Sequence, residues 1–173
     1  MVLGRRGLSW LEQAYDESVT KGMLKQMVDF PLWICRRPDL ERKNVLACVD
    51  GSEASHRMLD HIGFILGHDE NHMVTLLTVG KREKTADKSP EDVLSKSREL
   101  LLAGGIAADR INTKVIAEAS PGKAILREAS TGGVAAVAVG RTGTGKGLLK
   151  KVFGGSVSDT LFQTLEGATL WLA

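Results

Sequence analysis

From Asn44 onward, apolar and polar positions fall into regularly alternating blocks. VLACV (45–49) is a short continuous apolar run, as expected of a strand buried on both faces. DGSEAS follows, with Ser52 placed as a helix N-cap and Glu53 in the first turn. Met58, Leu59, Ile62, Ile65 and Leu66 then recur at helical spacing until Gly67. MVTLLTV (73–79) reads as a second strand, and the charged KREKTADK after it as a solvated loop. Ser89-Pro90-Glu91-Asp92 combines a cap, a proline at the first helical position and acids in the first turn, so a helix starts there and ends near Gly104-Gly105. INTKVIAEA (111–119) alternates as a third strand, and Ser120-Pro121 opens a helix that stops at Gly132-Gly133. VAAVAV (134–139) is a fourth strand. A helix with Val157, Leu161, Phe162 and Leu165 on one face leads to ATLWLA (168–173) as a fifth. This order predicts an α/β fold, a five-stranded parallel doubly wound (Rossmann-like) sheet with right-handed crossovers.

The first forty residues stand outside that alternation, yet they repeat part of it. Gly4-Arg5-Arg6-Gly7 matches Gly140-Arg141-Thr142-Gly143, and Ser18-Val19-Thr20 matches Ser156-Val157-Ser158. Met23, Leu24 and Met27 fall opposite Leu161, Phe162 and Leu165. Leu32-Trp33-Ile34 falls opposite Leu170-Trp171-Leu172. Serine and tryptophan are fifteen residues apart in both copies, while glycine and serine are fourteen apart in one and sixteen in the other. Residues 1–38 therefore read as the end of a preceding copy (end of strand four, helix four, strand five), 39–43 as linker and 44–173 as a complete domain. A chain that opens inside a repeat is what a shortened or degenerate tandem protein would give. The half-copy lacks a counterpart of Asp50. Its strand, Leu32–Cys35, is expected to pair with the closing strand, in the same chain or in a dimer mate.

Composition narrows the function classes. A chain of 173 residues with a net charge of +2 gives no electrostatic case for nucleic acid or an anionic membrane surface. The longest apolar run, Val134 to Val139, is far short of a membrane span, and the N-terminus has neither signal-peptide nor transit-peptide character. Cys35 and Cys48 sit in apolar strand-like runs and read as core thiols of a cytoplasmic protein. The stretch GHDENH holds His68 and His72 with two acids, but it lacks an apolar frame and reads as a solvated turn rather than a metal site. His56 and His61 read as structural.

In a doubly wound sheet, ligands bind beyond the carboxyl ends of the strands. Two loops with unusual chemistry fall at that edge, one at Asp50 and one at GRTGTGKGLLKKVFGGSVS (140–158). The second nearly matches a P-loop, but Gly147 stands where a magnesium-binding hydroxyl is needed, and no later strand ends in an acid. Gly140, Gly143, Gly145 and Gly147 let backbone approach a ligand closely. Gly155-Ser156-Val157-Ser158 opens a helix whose free N–H groups and hydroxyls suit an anion.

With these motifs in place, the chain resembles the universal stress protein family. Some of its members carry a G-x-x-G, nine-residue, G-[ST] loop after strand four. VLACVDGSEAS (45–55), LLTV (76–79) and ASPGKAILREA (119–129) are similar to the family's other junctions. The resemblance implies a 3-2-1-4-5 strand order, a homodimer through the last strand, and binding of ATP, AMP or ADP, with magnesium as an option for the triphosphate. Carried over by position, Asp50 would hydrogen-bond the ribose, and Val79 and Val139 would line the base pocket. Gly140, Gly143 or Gly145, Gly155, Ser156 and Val157 would surround ribose and phosphates. Gly143 to Gly155 is two residues longer than the family spacing, whereas Gly145 to Gly155 restores it. Lys146 lies on the extra segment, where it either reaches the last phosphate or points into water.

Three function classes follow, in order of preference. The first is an adenine-nucleotide-binding regulatory or stress-response protein. The second is a dimeric scaffold of the same family that binds no nucleotide. The third is a slow ATPase or autokinase. It ranks last because no acid or histidine within the glycine loop offers a base for water, and Asp159 reads as helix-dipole compensation. No catalytic or metal-ligating residue is assigned.

Overall fold

The computed structural model describes residues 2–4, 30–35, 37–80, 89–140 and 157–173. Its strands are β1 (Val2–Gly4), β2 (Leu32–Cys35), β3 (Asn44–Cys48), β4 (Val74–Val79), β5 (Ile111–Ile116), β6 (Val134–Val139) and β7 (Thr169–Leu172). The helices are α1 (Glu53–Leu66), α2 (Pro90–Ala103), α3 (Pro121–Thr131) and α4 (Val157–Thr164). The strands form one sheet in the order β1-β2-β7-β6-β3-β4-β5. From β5 to β7 all neighbours are parallel, and this segment has the expected 3-2-1-4-5 order. The apolar runs of β3 and β6 take the middle of the sheet because only there are both faces of a strand covered.

Helix starts follow their local chemistry. Ser52 caps α1 by accepting the Ser55 N–H, and Ser89 with Asp92 completes a reciprocal capping box on α2. Ser120 stands at the cap position of α3 but makes no side-chain cap bond, so the start there rests on Pro121 with its preset φ. The third strand stops at Ile116 rather than Ala119, because its partner β4 ends at Val79, the residue paired with Ile116. As the sheet edge, β5 exposes most of its residues, and Lys114 pairs with Glu128 of α3 at 2.7 Å.

The core lies in two layers. Val45, Ala47, Met58, Leu59, Ile62, Leu76, Leu101 and Trp171 pack beneath α1 and α2. Leu46, Leu77, Ile125, Val137, Val139, Leu161, Phe162, Leu170 and Leu172 pack beneath α3 and α4. Both cysteines carry free thiols. Asp69 organises the GHDENH turn: its Oδ1 accepts the N–H groups of Asn71 and His72, and its Oδ2 lies 2.8 Å from His72 Nδ1. These hydrogen bonds hold the Asp69 carboxyl down at about 2.

Beyond β7 the sheet continues into the N-terminal segment, with Leu32–Cys35 on the closing strand as expected. β2 pairs antiparallel with β7 in the register Leu32↔Leu172, Trp33↔Trp171, Ile34↔Leu170 and Cys35↔Thr169. Trp33 and Trp171 stack at 4.4 Å, with planes 9° apart. β1 pairs parallel with β2 through Val2↔Trp33 and Leu3↔Ile34, the same arrangement as Ala138↔Trp171 and Val139↔Leu172 between β6 and β7. Both edges of β7 are thus occupied within one chain, and a homodimer through this strand would first need β2 to leave. The N-terminal helix expected around Met23, Leu24 and Met27 lies outside the described residues.

Candidate functional site

At the carboxyl ends of β3, β4 and β6, against α1, α3 and α4, lies a pocket of about 200 Å³. Two hydrogen bonds fix the exit of β3. Val49 N–H donates to Leu77 O at 2.9 Å, and Thr78 Oγ1–H, buried in the sheet, donates to Val49 O at 3.0 Å. The next residue, Asp50, is therefore delivered to the rim at a set height. Gly51 turns the chain with φ +75°, a left-handed conformation that a side chain would strain, and α1 begins immediately after.

Asp50 Oδ1 accepts both the Ser52 N–H at 3.0 Å and the Ser52 Oγ–H at 2.6 Å. Ser52 Oγ in turn accepts the Ser55 N–H at 3.2 Å, and Ser55 Oγ–H donates to Ser52 O at 2.8 Å. Partial burial works to raise the Asp50 pKa, but the Ser52 and Ser55 hydrogen bonds together outweigh it and hold the carboxyl below its ordinary value. The group is thus a fixed anion at the N-terminus of α1, where the helix dipole also favours negative charge.

The walls are apolar. Val79 at the end of β4 and Val139 at the end of β6 face the pocket, with Leu77 and Cys48 deeper in. Pro121 and Ile125 close it from α3, and Val157 from the first turn of α4. Gly140 forms part of the lining and packs on the opening turn of α1, where a Cβ would lie 2.4 Å from the Ala54 carbonyl carbon. A side chain at this position would drive β6 and α1 apart.

Asp50, Val79, Val139, Gly140 and Val157, far apart in the chain, therefore meet at one pocket. Gly143, Gly145, Gly155 and Ser156, together with Lys146, lie outside the described residues. Several lining residues were not singled out from the sequence. Cys48 was read only as core, and Ser52 only as a cap. Pro121 and Ile125 belong to a recognised helix, but which helix face meets the pocket depends on the α3–sheet packing. Ser55 carried no separate signal.

The chemistry of this lining favours holding a ligand over transforming it. Its acid is already hydrogen-bonded and has a lowered pKa, which makes it a weak base. Burial pushes the Cys48 thiol pKa up, away from the reactive thiolate. Among the described residues no cluster of three or more His, Cys, Asp or Glu is arranged to hold a metal, and no helix is long and apolar enough to cross a membrane.

Solved structures share this architecture. A universal stress protein in complex with cAMP is 19% identical, with a TM-score of 0.58 over 74% of this chain and 93% of the other. A universal stress protein from Archaeoglobus fulgidus DSM 4304 is 21% identical, with a TM-score of 0.70 over 99% of this chain and 59% of the other. A family protein from Arabidopsis thaliana with AMP bound is 14% identical, with a TM-score of 0.50 over 75% of this chain and 90% of the other. At these identities the likeness establishes the fold. No curated protein matches the sequence. The sequence model of the Universal stress protein family matches residues 41–168. With most of its length inside that match and the parallel sheet that goes with it, the chain belongs to the universal stress protein family.

Proposed function

We propose that this protein binds an adenine nucleotide at the pocket between β3, β4 and β6 and serves as a regulatory sensor rather than an enzyme. The observation that carries this reading is the pairing of a fixed carboxylate with an apolar slot. Asp50 Oδ1 is engaged by Ser52, and Oδ2 is the acceptor for ribose hydroxyls. Val79 and Val139 flank the base. A pocket of about 200 Å³ is smaller than the ~300–1,000 Å³ that encloses a drug-sized ligand. It therefore takes the base and ribose and leaves the phosphates to the glycine segment that follows β6. In this reading Gly143, Gly145, Gly155 and Ser156 wrap the phosphates of ATP, ADP or AMP. Any magnesium travels on the phosphates, since the described lining offers one carboxylate. Related structures with cAMP and AMP point to the same ligand class.

In the same proposal, residues 1–38 are a partial copy of the domain, 39–43 a linker and 44–173 the complete copy. The matching registers of β1–β2 and β6–β7 support this division. So does the likeness to the Archaeoglobus fulgidus chain, which takes in 99% of this chain. The antiparallel pair centred on Trp33↔Trp171 has the self-complementary pattern of a two-fold interface, with β2 standing where a partner's strand would.

The test is mass spectrometry of small molecules released from the purified protein, followed by thermal-shift titration with ATP, AMP and cAMP. An adenine nucleotide that co-purifies, or a stabilisation lost in Asp50→Ala, supports the reading. Protein that carries no nucleotide and shows no shift with any of the three overturns it in favour of a scaffold.

A further inference from the structure

Trp33, on β2, reaches over to α1, where its indole N–H donates to His61 Nε2 at 2.9 Å. The imidazole meets the edges of both stacked indoles, with ring centroids 5.9 Å from Trp33 and 6.1 Å from Trp171. This is a side-chain hydrogen bond between the N-terminal strand and a helix of the complete domain, and His61 is its acceptor. An imidazole nitrogen accepts a hydrogen bond only while it carries no proton. We propose that His61 is a proton-operated latch on β2: neutral, it holds Trp33 and keeps the edge of β7 closed, whereas protonated, it releases the indole and lets that edge open.

The surroundings favour such a switch. His61 is half-buried. Burial holds the imidazole below its ordinary pKa of 6.5. The released imidazole therefore takes up a proton before the docked one does. The docked state is favoured at and above pH 6.5, and its advantage fades as pH falls through the lower docked value.

On α1 the neighbouring charges are exposed Arg57 and Asp60. β2 and β7 turn Trp33 and Trp171 toward the imidazole, and the Cys35 thiol two residues along accepts from Thr169 Oγ1 at 3.6 Å. β6 contributes Ala136 and Ala138, and α2 turns Val93, Leu94, Ser97 and Leu101 inward. Beside the latch a cavity of about 490 Å³ runs along Trp33, Cys35, Ile65 and Trp171. Along its wall Arg42 pairs with Asp39, and His72 Nδ1 lies 2.8 Å from Asp69 Oδ2. The cavity gives water a way to Trp33 without the core opening.

Hydrogen–deuterium exchange on the full chain at pH 7.5 and pH 5, corrected for intrinsic exchange, tests the latch. The segment containing Leu32–Cys35 should open roughly fivefold more often at pH 5, the equivalent of one net hydrogen bond. β3 and β6 should not change. In His61→Gln, which accepts a hydrogen bond but takes no proton in this range, the pH step should vanish. In Trp33→Phe, which keeps the ring stack and loses the donor, the pH step should shrink. A wild-type segment indifferent to pH, or an undiminished step in either variant, overturns the proposal.

Discussion

Replacing Gly140 by alanine should damage the pocket proposed to hold the nucleotide, through the backbone alone. A Cβ at this position would lie 2.4 Å from Ala54 C and 2.6 Å from both Ala54 O and Ser55 N. Ordinary carbon contacts are about 3.5–4.0 Å, so β6 and the first turn of α1 must separate by roughly 1 Å. The obstructing atoms belong to backbone and have no rotamer to escape into. Overpacking of this kind destabilises by about 1–3 kcal/mol. In a chain of this size that is a fall in Tm of about 2–12 °C. The same displacement carries Ser52 and Asp50 away from Val139, and losing one hydrogen bond to a charged group weakens binding about 10–100-fold. Gly80 is the control. It follows β4 at the same edge of the sheet, and an added Cβ there meets no described residue within 4 Å, so Gly80→Ala should stay within about 0.5 kcal/mol of wild type. Thermal unfolding with and without AMP, and isothermal titration of both variants, measure these differences. Gly140→Ala matching Gly80→Ala in Tm and affinity would refute the steric argument.

The other expectations concern separate parts of the molecule. Asp50→Asn should weaken AMP about 10–100-fold in titration calorimetry. It should also flatten the acid limb of stability. The lowered Asp50 pKa contributes stability that is present above its ordinary value of 3.8 and lost as pH falls through the folded value; a limb unchanged in urea melts from pH 5 to pH 2.5 contradicts this. Leu32→Ala removes a fully buried side chain between the N-terminal strand and the second core layer and should cost about 2–5 kcal/mol in urea unfolding. Gly67→Ala would bring a Cβ to 2.4 Å from Gly104 O and 2.7 Å from Gly63 O at the α1–α2 contact. That contact lies at the other end of α1 from the pocket, so Tm should fall while AMP affinity holds, and a parallel loss of affinity would tie the two ends together.

Much of the fold could be read from local signals. VAAVAV forms β6 over the residues expected, and Ser52 and Ser89 cap the helices they were expected to cap. Such features depend on a few neighbouring residues, so a linear pattern contains them. The site was legible in part because glycine and aspartate at strand ends are informative by themselves. Pro121 and Ile125 were harder, since helical spacing tells that a face is apolar and not what it faces.

By itself the sequence determined most strand and helix segments and the glycine and aspartate that end strands at the carboxyl edge. The tertiary structure decided which partner the closing strand takes. A strand of type LWI can pair with its own chain or with another, since either supplies the same backbone hydrogen bonds and a matching indole. Here β2 occupies that edge, and the His61–Trp33 bond and the stacked tryptophans hold it there. Their geometry arises only when residues far apart in the chain converge.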